Sequence, residues 1–298
     1  IAQSGNHYRA VFTNGTVPDA TTSAALLTVN KAGTTTALTQ SPTSAPFGSP
    51  VTIKAAISRV GPGSGTPGGS VQFKQGSTNL GPPVAVTGGQ AIRQVPFILQ
   101  NQVVTAVYSG DANFLGSQGQ FAPAISFVHT LGNQPGNTTI SGGTWLLSGI
   151  TIGGSLTVSP GTSVLILNST IRAGVTATKP GTVAICGSAL RSALNISAAT
   201  GFVLVGDPAD DACAGNSISG AVNLTNNLAG VSLRSNQVLS GVTFNKNVGG
   251  GPFPLDVNPV VAANIISGRL ACTGNTPVLT NIAQPNTASL KSGQCAGL

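Results

Sequence analysis

From residue 150 onward the apolar positions fall into columns. Placed above one another, "ITIGGSLTVSPGTSVLI", "STIRAGVTATKPGTVAI", "SALRSALNISAATGFVLV", "NSISGAVNLTNNLAGVSL" and "NQVLSGVTFNKN" align Ile152, Ile171, Leu190, Ile218 and Val238, and Ile266 continues the column at intervals of 19, 19, 28, 20 and 28 residues. A second column follows four residues later, through Leu156, Val175, Leu194, Val222, Val242 and Leu270. A third lies two residues beyond it, through Val158, Ala177, Ile196, Leu224, Phe244 and Cys272. A period near 20 residues, with apolar–polar alternation inside each unit, predicts a parallel β-helix whose coils each supply two or three short strands. One coil cannot bury its apolar face alone, so stability has to come from stacking. Asn216, Asn236, Asn264 and Asn286 precede the first apolar position by two residues. Asn tolerates left-handed turns, and stacked amides hydrogen-bond along a ladder. The two intervals of 28 hold insertions, "GDPADDACA" and "GGPFPLDVNP", expected to project as loops.

Before the solenoid the period changes to two. "PVTIKAAISRV", "GSVQFKQG", "PVAVTGGQAIRQVPF" and "QVVTAVYSGDANFLGS" alternate apolar and polar residues between turn residues, as a sandwich of about seven strands requires. "TAVYSGDANFLGS", with "SPVTIKAAIS" and "GGSVQFKQGSTNLG", resembles bacterial Ig-like repeat domains. That resemblance implies a spacer or adhesive module, in tandem on secreted surface proteins. Asp111 sits in the "SGDAN" turn, where a carboxylate accepts backbone N–H bonds. Further upstream, Gly5, Tyr8, Asn14 and "LLTV" resemble the last two strands of an immunoglobulin-like domain, with Ala10 where a Cys would stand. The expected organisation is all-β: residues 1–33 a partial Ig-like unit and linker, 34–128 an Ig-like β-sandwich, and 129–298 a parallel β-helix. The opening "IAQSG" reads as a processed product or a fragment. Its two strands would be marginal alone and are expected to be the trace of a truncated domain, or else to dock on a neighbouring subunit and build a filament.

Composition narrows the function classes. Charged residues make up 6% of the chain and hydrophobic ones 40%, which excludes an ordinary disordered segment. No run approaches 18 apolar residues, so no membrane span is expected. The net charge of +7 comes from scattered Lys and Arg, and Trp145, Tyr8 and Tyr108 are the only Trp and Tyr, so neither a phosphate-tracking patch nor a base-stacking platform for nucleic acid is present. A weakly cationic surface is the plain reading; attraction to an anionic cell-wall polymer or glycan is the sharper one.

Three of the six acidic side chains, Asp207, Asp210 and Asp211, share "VGDPADDAC". A glycoside hydrolase needs two carboxylates at a fixed separation, and a strong calcium site takes six to eight oxygens. The loop shows neither pattern, and His7 and His129 fall in the hairpin and in a linker. The expectation is a solvated loop without catalytic residues or cofactor, with a weak calcium site at Asp207, Asp210 and Asp211 as the alternative. The cysteines fit the coil geometry better. Cys186 and Cys213 lie at nearly the same corner of successive coils, and Cys272 and Cys295 are 23 residues apart, about one coil. Coils about 4.8 Å apart suit the Cα separation of a disulfide, so Cys186–Cys213 and Cys272–Cys295 are the expected pairs. Disulfides imply an oxidising, extracellular setting. The segment ending "NTASLKSGQCAGL" resembles a module of secreted proteins from high-GC Gram-positive bacteria. The leading expectation is a secreted or cell-surface structural or adhesive protein, a fibre or filament subunit. The alternative is a carbohydrate-binding or carbohydrate-cleaving β-helix on Ig-like spacers.

Overall fold

The computed structural model describes residues 3–95, 99, 102–209, 211–250 and 257–298, and no helix occurs among them. At the start, His7–Tyr8 pairs with Ala25–Leu26 and Val11–Phe12 with Ala20–Thr21, both antiparallel. This hairpin buries almost nothing: Phe12 is 63% exposed and Val17 88%.

The sandwich follows. One sheet orders Val84–Ala85, Ser70–Gln75, Val104–Tyr108 and Ser117–Phe121; the other orders Gln90–Val95, Val51–Arg59 and Thr34–Ser41. Period-two alternation decides which side chains form the core. In Val51–Arg59 the side chains of Val51, Ile53, Ala55 and Ile57 are buried, while Thr52, Lys54, Ala56 and Ser58 are not. Phe73, Val104, Ala106 and Tyr108 meet them from the opposite sheet.

The solenoid has three stacks of parallel strands. One runs from His129–Thr130 through Thr144–Ser148, Ser163–Leu167, Val183–Cys186, Val203–Val205 and Val231–Arg234 to Val260–Ala262. A second climbs from Thr138–Ile140 and a third from Thr151–Ile152. Both arrive at the long strand Ile265–Thr273, which joins them into a 13-stranded sheet. Strand pairing sets Ile152, Ile171, Leu190, Ile218, Val238 and Ile266 in one file. The columns through Leu156 and Val158 are likewise files of paired residues. The solenoid extends one coil beyond these columns at either side: Ile140 stands beside Val158, and Thr287–Gly293 pairs with Ile265–Thr273. His129, expected in a linker, instead belongs to the first strand of the solenoid and stacks on Trp145 with ring centroids 4.4 Å apart.

The first stack is buried on both sides. Val164, Ile166, Val183, Ile185, Val203 and Val205 point into the solenoid core, while Leu165, Ala184, Leu204 and Phe202 belong to the same apolar cluster as the sandwich residues Phe47, Ala45 and Phe73. Gly48, at φ +85°, comes so close to Thr182 that a Cβ there would overlap its side chain. Thr78 Oγ1 also donates to Ala209 O at 3.3 Å. The sandwich therefore sits directly on the solenoid wall.

Candidate functional site

The acidic insertion is exposed at Pro208, Ala209 and Ala212, but two of its carboxylates are not solvated as expected. Asp207 and Asp211 are both 0% exposed. The chain turns back on itself through two backbone bonds, Asp207 N–H to Cys213 O at 2.5 Å and Cys213 N–H to Asp207 O at 2.8 Å. That closure aims Asp207 at the next coil, where alternation along Val231–Arg234 turns Ser232 and Arg234 outward. Arg234 Nη1 donates to Asp207 Oδ1 at 2.9 Å, and the two side chains are 1% and 0% exposed. Ser232 Oγ donates to Asp207 Oδ2 at 3.0 Å, and Arg234 Nη2 donates to Gln284 Oε1 at 3.1 Å. The physical reason for the burial is pairing: a carboxylate leaves water at tolerable cost only when a counter-charge and hydrogen bonds meet it. Arg234 was missed in the sequence because nothing there says that the inserted loop folds back over its strand.

Of the three acidic residues considered for calcium, Asp210 lies outside the described residues, as does Asp256 of the second insertion. Asp207 has both oxygens committed to protein donors. Among the described residues, no group of three or more His, Cys, Asp or Glu side chains is arranged so that it could hold a metal ion. His7 is exposed on the N-terminal hairpin and His129 stacks on Trp145, so the histidines and the Asp207–Arg234 pair are placed in different parts of the fold.

The cysteines pair Cys186 with Cys213 and Cys272 with Cys295, at Cα separations of 4.8 and 5.3 Å. The first anchors the acidic insertion to the preceding coil, and both its residues lie in the cluster shared with the sandwich. The second ties residues 294–298 across the last coil, where Lys291 Nζ donates to Leu298 O at 2.5 Å.

Two amide ladders run along the solenoid. In the first, Asn216, Asn236 and Asn264 each donate Nδ2 to the next Asn Oδ1, ending on Asn286, at 2.8–3.0 Å. The left-handed backbone expected of these Asn residues belongs at Asn236 and Asn264 to the residue before, Ser235 at φ 58° and Ala263 at φ 52°, and none of the four Asn adopts it. Turning the corner one position earlier frees the Asn side chain to point inward. The second ladder, Asn227, Asn247, Asn275 and Gln294, was not read from the sequence; its members repeat the same contacts at 2.9–3.1 Å.

In the sandwich, Asp111 accepts from the N–H groups of Gly68, Asn113 and Phe114 at 2.7–2.9 Å. These bonds, Gly68 foremost, hold its carboxyl below the usual range against a smaller opposing effect of desolvation, and the Tyr108 hydroxyl adds to them. Burial, reinforced by the Asp111 charge, pushes the Tyr108 phenol up.

No helix among the described residues is long and apolar enough to cross a membrane. A comparison with curated proteins finds no match. Residues 38–126 match the family described as Bacterial Ig-like domain (group 3). That domain suggests a surface or extracellular protein, and the two disulfides are compatible with such a location. The sandwich of this chain is a bacterial Ig-like domain, carried on the wall of a β-helix.

Proposed function

We propose that the chain is a secreted or surface-held structural and adhesive protein without enzymatic activity, in which sandwich and solenoid work as one stiff element. The observation that carries this reading is the apolar cluster common to both: Leu165, Leu204 and Phe202 on the solenoid wall with Phe47 and Ala45 of the sandwich. A spacer linked by a free hinge would not need a wall buried on both faces. The absence of catalysis is supported by the state of the carboxylates, since Asp207 is sealed against Arg234 and Asp111 caps a turn. Self-association through the N-terminal strands is supported by the exposed Phe12, Val17 and Leu26 on a hairpin whose edges are open to strand addition. Electron microscopy and light scattering of the chain, with and without residues 1–30, test the assembly. Filaments that vanish on deletion support it, and monomers in both samples at high concentration refute it. Turnover of any cell-wall polysaccharide by the purified chain would refute the non-enzymatic reading and favour the carbohydrate-active alternative.

A further inference from the structure

We propose that the outward side of the stack climbing from Thr138–Ile140 is an ice-binding surface. Between the inward columns through Leu156 and Val158, register places Thr157, Thr176, Asn195, Asn223 and Thr243 in one outward file. Thr139 precedes this file, and Ala271 and Ser292 extend it to eight rungs. Two residues along each strand, a second file runs through Thr178, Ser197, Thr225, Asn245 and Thr273. None of these side chains is buried.

The dimensions follow from strand geometry. Neighbouring rungs stand about 4.8 Å apart and same-face residues about 6.6 Å apart, so the two files form a two-dimensional grid. Every position but Ala271 carries a hydroxyl or a side-chain amide, and neither file contains a charged or an aromatic side chain. Arg269 donates to Ser292 Oγ at the last rung, so charge touches the array at that end alone among the contacts of its two files; a polyelectrolyte partner would find little counter-charge along the rest, and a sugar ring would find no aromatic face on which to stack. What the grid offers is uncharged hydrogen-bonding groups at a fixed two-dimensional repeat. The partner it fits is itself an uncharged hydrogen-bonded lattice, and the rows of water in an ice surface repeat at spacings of the same order.

The array is also held still. Thr is stiff about χ1, so successive Thr rungs present methyl and hydroxyl alike. Asn223 Nδ2 donates to Asn195 Oδ1 at 2.8 Å, orienting both amides along the file. Beneath them lies the fully buried core of Leu194, Ile196, Val222 and Leu224. Waters seated on such a grid lose their mobility together on a rigid template, and many weak contacts then act as one. The neighbouring stack shows that this is not automatic in a coil of this kind. Its outward file degrades from Thr151 and Thr170 through Ala189 and Ser217 to Gln237 and Ile265.

The test uses the purified full chain, whatever its state of assembly. Slowly grown ice is assayed for enrichment of the protein over an ordinary carrier protein, and single ice crystals are scored for shaping and thermal hysteresis. Thr176→Tyr places a bulky ring in the middle of the grid; Gln237→Tyr places the same ring on the neighbouring stack. Unchanged melting temperatures establish that both variants fold. Wild type and Gln237→Tyr should enter ice and shape crystals, while Thr176→Tyr should be excluded like the carrier. Exclusion of the wild type, or full activity of a folded Thr176→Tyr, overturns the proposal. Exclusion from ice with retention on crystalline chitin or cellulose also overturns it, and would assign the grid to a polysaccharide lattice.

Discussion

Replacing Asp207 by Ala removes the carboxylate that Arg234 meets at 2.9 Å, in a site where the two side chains are 0% and 1% exposed. The substitution also takes the acceptor from Ser232 Oγ. Breaking a buried ion pair from one side costs about 3–5 kcal/mol. Gln284 still accepts from Arg234, which favours the lower end, about 3 kcal/mol. Relaxation cannot remove that cost cheaply. The insertion is fixed by the Cys186–Cys213 bridge and by two backbone bonds between Asp207 and Cys213, so it cannot swing aside and let water reach the guanidinium. The paired replacement Asp207→Leu with Arg234→Met removes both charges together with their desolvation penalty and should recover most of the loss. Urea unfolding followed by Trp145, the only Trp, reads the solenoid. Hydrogen exchange on Val203–Val205 and Val231–Arg234 then localises the effect. A single variant within about 0.5 kcal/mol of wild type would refute the reasoning, because such a shift is ordinary for surface substitutions. So would a double variant whose loss is the sum of the two singles, since contacting partners must couple.

Asp111 has its carboxyl held down by the Gly68, Asn113 and Phe114 N–H groups, so the folded chain takes up the proton less readily than the unfolded one. Its contribution is complete above the unfolded carboxylate value near ~3.9 and disappears as pH falls through the depressed folded value; Asp111→Asn should flatten this acid limb in urea midpoints measured below about pH 4. Asn236→Ala removes the acceptor of Asn216 N–H and Nδ2 and the donor to Val205 O, and should cost about 3 kcal/mol in the same unfolding assay. Leu204→Asp places an unpaired charge in the cluster shared by sandwich and solenoid, and should raise the radius of gyration by X-ray scattering and expose the connection to protease.

Legibility in the sequence followed the strength of the repeat. The three inner columns could be read because mainly Ile, Val and Leu recur at 19 or 20 residues, and resume in the same internal spacing after each interval of 28 that holds an insertion. The end coils could not. At the start the column positions hold Gln134, Thr138 and Ile140, with one apolar residue of three, and at the close Ala288, Lys291 and Gly293, so the apolar signal fades where the stack meets its caps. Asn227, Asn247 and Asn275 stand three residues after Leu224, Phe244 and Cys272, at the same intervals of 20 and 28 as the first ladder, and that regularity was a readable signal. Docking of the sandwich was readable too. "SVLIL", "VAIC" and "FVLV" are apolar on both parities, as strands covered on both faces tend to be. The burial of Asp207 was not readable, because it depends on a loop closing over Arg234 from 27 residues away.

That unread pair answers a problem the columns create. Coils whose inward files are mostly Ile, Val and Leu, with Ala177, Phe244 and Cys272 the exceptions in the third column, present similar surfaces to one another, so apolar stacking alone specifies the register of a slipped coil poorly. An amide ladder does not remove the ambiguity, since each rung offers the same donor and acceptor as the next. What distinguishes one coil from the next includes the two insertions, the bridges from Cys186 to Cys213 and from Cys272 to Cys295, and the outward Arg234 that the first insertion covers. A coil displaced by one rung would leave Asp207 facing an apolar strand and Arg234 without its carboxylate, a penalty of several kcal/mol on either side. In a chain with 6% charged residues, one buried ion pair thus marks which coil lies next to which.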